Sequence, residues 1–324
     1  MSLWQGWVRA LQRQEVGTSL ALFRMAVALG SLWLVLSMLP HGRITLLWLR
    51  RADGGYREGS SGSWLVEALG GASSTVVWGL VAVGILAGLA LLLGLASRLS
   101  AFLALQSVLA LGWINVHAGG SYDDLATNAL WLLVLADSGA TLSLSCRLRT
   151  GSWTSDRLVS SWPRWLAVLQ LVLMYSTSGA QKISHHWVPG GEASALYYIL
   201  QQPEWQRGDM RWLAEVYPLT QAVTTLTWLW EISSPLLLLV FLARWRGERA
   251  SQQGARASRL GRLFQRYDLR LGFAAIGIPM HLGTLLLMDV GPFSALSIAY
   301  YAALFHPDEV RALVTRVARR PAPG

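Results

Sequence analysis

Apolar residues fall along this chain in eight long runs separated by polar segments. None of the runs alternates with the period of two that a half-buried or barrel strand needs. The runs cover residues 19–39, 74–95, 99–117, 125–145, 162–180, 218–243, 270–288 and 291–306. A helix rises about 1.5 Å per residue, so a hydrocarbon core of about 30 Å takes about 20 residues. The runs have that length or nearly so; the last is short and follows Gly291-Pro292. The pattern predicts an all-α, polytopic membrane bundle of about eight transmembrane helices over residues 19–306. Residues 1–18 carry Trp4, Trp7, Arg9, Leu11 and Arg13 and are expected to form an amphipathic helix on the membrane surface. Residues 307–324 are expected to form a basic cytoplasmic tail. The first run is too long for the core of a signal peptide and lacks a small-residue cleavage site.

Composition agrees with this pattern. Of 324 residues, 53% are apolar and only 14% charged, against about a quarter charged in soluble domains. The net charge of +9 could suggest a nucleic-acid partner, but the positions of the charges decide otherwise. With the N-terminus inside, 19 of the 27 basic residues fall on cytoplasmic segments, seven fall outside, and Arg24 lies within the first run. That bias follows the positive-inside rule and puts both termini in the cytoplasm. The basic 244–270 loop then reads as a topology determinant touching anionic lipid, so no nucleic acid is expected. Many of the 17 tryptophans lie near span ends, as an interfacial belt requires. Two outer loops are large, 41–73 and 181–217, and the second is expected to carry an amphipathic surface helix. The lone Cys146 excludes an intrachain disulfide and a cysteine metal cluster.

Candidate chemistry is confined to a few polar residues. There is no Walker loop, GxGxxG, HExxH or GxSxG. Lys182 is the only lysine beside 26 arginines. Arginine would snorkel to the headgroups equally well, so the retained amine points to a group that must lose its proton, as base or nucleophile; a simple snorkelling lysine is the alternative. His281 lies within a run and is either a hydrogen-bonded structural residue or part of a site. Asn115 and His117 close the third run with Asp123 and Asp124 nearby; their spacing is not diagnostic of a metal, and a polar turn with an N-cap is expected. His185 and His186 read as interfacial neighbours of Lys182, and no metal site is assigned. Arg24 and Glu231 are charges inside apolar runs, for which ion-pair partners are expected.

The order of several segments resembles a known family. The first run contains LFRMAVALG, and NVHAGGSYDDLATNALWLLVLADSGATLSL spans the third and fourth. Tyr175, Gly179, Lys182 and Trp187 form a Y-x3-G-x2-K-x4-W run, followed by Gly191, Ala193, Tyr197 and Tyr198, then WLWEISSPLLLL and MHLGTLLLMDVGPF. Over residues 15–310 this is similar to the horizontally transferred transmembrane (HTTM) domain, which is shared by bacterial membrane proteins and the membrane part of vitamin K-dependent gamma-carboxylase. The resemblance implies a bacterial inner-membrane protein. It implies a reduced vitamin K or menaquinol-type hydroquinone as cofactor, with O2 and CO2 as co-substrates, in a lyase that carboxylates glutamate and releases the quinone epoxide. Lys182 matches the family's base and His281 loosely matches its late histidine; both are the catalytic candidates. Tyr175, Glu231, Asn115 and His117 are the cofactor-binding candidates.

The carboxylase continues into a long luminal region that helps hold its peptide substrate. This chain ends at Gly324 on the expected cytoplasmic side, which speaks against a propeptide-tagged acceptor. The alternative is a non-enzymatic factor for maturation, export or immunity. Its outer loops would bind a secreted peptide or a soluble periplasmic partner. A transporter ranks last, because no internal repeat or paired broken span is visible.

Overall fold

The computed structural model describes residues 8, 11–59, 62–252 and 267–318. Among them the chain is mostly helical, with one two-stranded ribbon. The long helices are α1 (Thr18–Leu36), α4 (Ser74–Leu93), α5 (Ser97–Ile114), α6 (Ser121–Leu135), α8 (Trp162–Gln181), α10 (Tyr217–Ser233), α11 (Leu236–Gln252) and α12 (Leu269–Leu287). Shorter ones are α2 (Arg43–Trp48), α3 (Trp64–Ala68), α7 (Leu144–Thr150), α9 (Ala195–Leu200), α13 (Phe293–Tyr301) and α14 (Pro307–Ala318). Every predicted run therefore contains a helix. Four of these, α1, α4, α5 and α12, are long and apolar enough to cross a membrane, or five if the bent pair Tyr217–Ser233 and Leu236–Ala243 counts as one.

The other three runs differ from expectation for identifiable reasons. Asp137, Ser138 and Gly139 favour a turn, so the 125–145 run stops as a helix at Leu135 and restarts at Leu144 under the Ser143 cap. Helix α8 has the length, but its last turns, STSGAQ, are polar. The last run gives only a short apolar helix, Phe293–Leu304. The expected surface helix in 181–217 shrinks to α9, because Pro203 cannot continue it. Half of the expected 1–18 helix lies outside the described residues; Val8 and Leu11 are helical, and the segment then becomes strand β1 (Gln14–Val16), antiparallel to β2 (Leu158–Ser160). The basic loop is helical as far as Gln252, and 253–266 lie outside the described residues, as do 319–324 of the tail.

The chain divides into two compact units, residues 1–167 with 291–324, and residues 168–290. In the first unit Gly84 and Gly88 form a G-x-x-x-G face on α4. A Cβ at Gly84 would meet Ser107 Oγ of α5 at 2.5 Å, and one at Gly88 would meet Leu32 of α1 at 2.6 Å, so the glycines let α4 approach both helices closely. The segments expected in the cytoplasm meet at one end of this unit. Arg24 donates to Ser138 O (2.7 Å) and Leu142 O (2.6 Å), and Ser19 to Phe305 O (2.8 Å). Arg98 donates to Ala136 O (3.3 Å), while Arg164 pairs with Glu15 and Arg311 with Asp156. The loop 41–73 joins the opposite end of α5, where Trp48 donates to Leu111 O (2.9 Å) and Asn115 to Leu47 O (3.0 Å). Arg24 corrects an expectation: carbonyls, rather than a carboxylate, receive its fully buried guanidinium among the described residues.

Candidate functional site

The second unit brings together residues that lie far apart in sequence. Helix α8 ends at Gln181, and its last turn tightens so that Lys182 N–H reaches Gly179 O at 3.2 Å. Tyr175, Ser178 and Lys182 follow at steps of three and four, so they share one face of the helix. Opposite them, α10 presents Trp230 and Glu231. Pro235 has no N–H to give to Glu231 O; Ser234 N–H takes that carbonyl at 3.1 Å, and the chain bends by 45° into α11. Ser234 Oγ then donates to Val172 O of α8 at 3.2 Å. The bend thus places Glu231 on the last turn of α10, against α8.

Gly179 sets the separation. A Cβ there would lie 2.9 Å from Ile232 N and 3.0 Å from Glu231 Cβ, so only glycine lets the two backbones meet. Across this contact the Lys182 ammonium donates to both carboxylate oxygens of Glu231, and to Ser178 Oγ at 2.8 Å. Glu231 Oε1 also accepts from Ser178 Oγ at 3.3 Å. The Glu231 side chain is 7% exposed and that of Lys182 20%. The ammonium lies 4.9 Å from the centroid of the Trp187 ring, within cation–π range. The expected ion-pair partner of Glu231 is therefore Lys182.

Two helical turns back along α8 from Lys182, Tyr175 Oη and His281 Nε2 share a hydrogen bond of 2.6 Å. Both side chains are buried. The Tyr175 ring packs edge-on against Trp230 (4.3 Å between centroids) and Phe273 (5.7 Å), and Trp230 stacks on Phe273 at 4.5 Å. Trp230 Nε1 donates to Phe273 O at 3.0 Å. The second unit thus holds two polar pairs set two turns apart along α8. Lys182–Glu231 reaches the surface, and Tyr175–His281 is enclosed by aromatic rings.

Asn115 and His117 belong to the first unit. Asn115 holds the 41–73 loop through Leu47 O, and His117 is exposed in a 3-10 turn. The expected N-cap beside them is not made by a side chain: Gly120 takes the cap position, and its N–H donates to Asp123 Oδ2 at 2.9 Å. Sequence reasoning missed Ser178, Trp230 and Phe273. The step of Ser178 from Tyr175 and Lys182 was a usable signal, whereas the contact of Trp230 with Phe273 depends on how α10 and α12 pack. No family model matches the chain, and searches of curated proteins and of solved structures find no match.

Proposed function

We propose that the chain is an eight-crossing inner-membrane protein with both termini in the cytoplasm. In this reading Lys182 accepts a proton from an acidic hydroxyl of an apolar ligand, as in the quinol-dependent carboxylase that the sequence resembles. Support for the topology comes from the first unit, where the arginine-rich segments expected in the cytoplasm gather at one end. The observation that carries the chemistry is the Lys182–Glu231 pair. It holds a proton between an amine and a carboxylate at the edge of an apolar unit. Transfer of that proton to Glu231 leaves a neutral amine able to take another, which a guanidinium cannot do. Ser178 orients the pair, and the enclosed Tyr175–His281 pair fixes the α8 face from which Lys182 projects.

The chemistry of these residues suits a hydroquinone: an amine and a carboxylate to exchange its proton, and the Trp187 ring 4.9 Å from the ammonium to stack on it. Such a ligand supplies an acidic phenolic hydroxyl and two reducing equivalents for oxygen. Lys182 and Trp187 would hold it, and Glu231 would keep the proton balance of the amine.

The test is turnover in nanodiscs with reduced vitamin K or menaquinol, oxygen and bicarbonate, read as quinone epoxide by mass spectrometry. Wild-type protein is expected to form epoxide, and Lys182→Arg and Lys182→Ala to form none. Absence of epoxide from folded wild type overturns the enzymatic reading. It would favour the second one, a non-enzymatic factor whose outer loops bind a peptide. That reading draws on the exposed Tyr56, Trp64, Ile183 and Trp212 on those loops.

A further inference from the structure

We propose that the loop following α8 is a binding site for a divalent ion of the zinc class, with His185, His186 and Glu192 as its protein ligands. One ligand atom from each residue lies within 4.8 Å of the others. Glu192 Oε1 is 3.8 Å from His185 Nε2, and Glu192 Oε2 is 3.3 Å from His186 Nδ1. Donors about 2.0–2.1 Å from a tetrahedral zinc ion stand about 3.3–3.5 Å from one another. The carboxylate therefore turns one oxygen towards each imidazole at close to shell spacing, and a small closure of the loop brings one donor from each residue onto a single ion.

The backbone produces this arrangement. Consecutive side chains on a strand would face opposite ways. Here residues 184–188 form a turn closed by Trp187 N–H to Ser184 O (2.9 Å) and Val188 N–H to Ser184 O (3.2 Å), and the two imidazole centroids come within 3.9 Å. Glu192 returns over them through Gly190 and Gly191. Gly190 takes the left-handed conformation, with φ +88°, and a Cβ on Gly191 would lie 2.2 Å from His185 O. Glu192 N–H then donates to that same carbonyl at 2.8 Å.

Neighbouring groups hold the returning segment. Gln221 Nε2 donates to Glu192 O at 2.8 Å. The buried Ser194 hydroxyl lies 2.7 Å from His186 Nδ1 and 3.3 Å from Glu192 Oε2. It fixes His186 and Glu192 beside each other in the metal-free loop, and it must release His186 Nδ1 when that nitrogen binds an ion.

The donor chemistry selects the ion. Two imidazoles and one carboxylate suit zinc and its neighbours, whereas calcium and magnesium take oxygen ligands. A cation at the ring nitrogens is attracted by the lone pairs of both imidazoles and by the carboxylate. Three protein ligands leave a fourth position for water. The site is independent of the chemistry proposed for Lys182.

The experiment uses the full chain, without a polyhistidine tag, in nanodiscs after EDTA treatment. Zinc uptake is measured by equilibrium dialysis with elemental analysis, and cobalt(II) serves as a visible-absorption probe. One zinc per chain is expected. Affinity should fall at least ~10-fold in His185→Gln, His186→Gln and Glu192→Gln and stay unchanged in Lys182→Ala. Bound cobalt should show the strong visible band of four-coordination. Zinc binding that survives all three substitutions, calcium uptake equal to that of zinc, or no four-coordinate cobalt band in the folded wild type would each overturn the proposal.

Discussion

Lys182 and Glu231 stand 49 residues apart and share a doubly hydrogen-bonded ion pair, with the amine reaching both carboxylate oxygens. Glu231 is nearly buried and Lys182 retains some exposure. Removing either partner strands a charge where water reaches it poorly. Lys182→Ala and Glu231→Gln are each expected to cost about 2–4 kcal/mol, somewhat below the range for fully buried pairs. The double substitution should cost clearly less than the sum of the two. Thermal unfolding in detergent, arranged as a double-mutant cycle, measures this; strict additivity would mean that the pair is not coupled.

Gly179 is the spacer that permits the pair. A Cβ there collides with the backbone of Ile232 and with Glu231, and neither can yield as a flexible side-chain tip would. Gly179→Ala is expected to destabilise by about 1–3 kcal/mol and to weaken the Lys182–Glu231 coupling. Gly283→Ala on α12, where nothing lies within 4 Å of the added carbon, is the matched control and should be close to neutral. Equal effects at the two positions would argue against the close helix contact.

Arg24 binds the turn after α6 through two carbonyls, Ser138 O and Leu142 O. Its planar fork serves both, and a lysine ammonium acts as a point charge without that fork. Arg24→Ala should cost at least about 3 kcal/mol, from the lost packing and the orphaned carbonyls. Arg24→Lys should recover only part of this. Melting temperatures of the three proteins give the order.

Arg164 and Glu15 form a two-pronged pair, with both bonds at 2.7 Å, beside the β1–β2 ribbon. Both side chains are nearly buried. Glu15→Ala is expected to cost about 3–5 kcal/mol and to raise amide exchange at Leu158–Ser160 more than in α5. Hydrogen-exchange mass spectrometry reads the difference by segment.

The topology can be read by thiol labelling, because the lone Cys146 is fully buried and leaves the native background silent. Tyr56→Cys and Ile183→Cys, at positions 78% exposed, should react with an impermeant reagent added to intact cells. Trp153→Cys, at a half-exposed position, should react only after permeabilisation. The reverse pattern would invert the assigned orientation.

Helix positions were legible because hydropathy is a local property. The predicted 74–95 and 270–288 runs match Ser74–Leu93 and Leu269–Leu287 to within two residues. Turn chemistry inside an apolar run was harder to read. The Asp137-Ser138-Gly139 break and the bend at Pro235 each interrupt a run whose summed hydropathy hides them. Lys182 stood out by composition alone, as one amine among arginines, although its partner did not. Glu231 could have faced any neighbour until the rotation and the close approach of α8 and α10 were known.

The same division holds for the other sites. His185 and His186 were visible as adjacent histidines, but Glu192 joins them only because Gly190 and Gly191 turn the chain back. The pairing of Tyr175 with His281 depends on the packing of α8 against α12. The sequence by itself determined where the long apolar helices lie and which residue types are available for chemistry, since both follow from neighbours along the chain. The tertiary structure alone decided which of those residues meet, because pairing across helices depends on their rotation and separation, which no local pattern encodes.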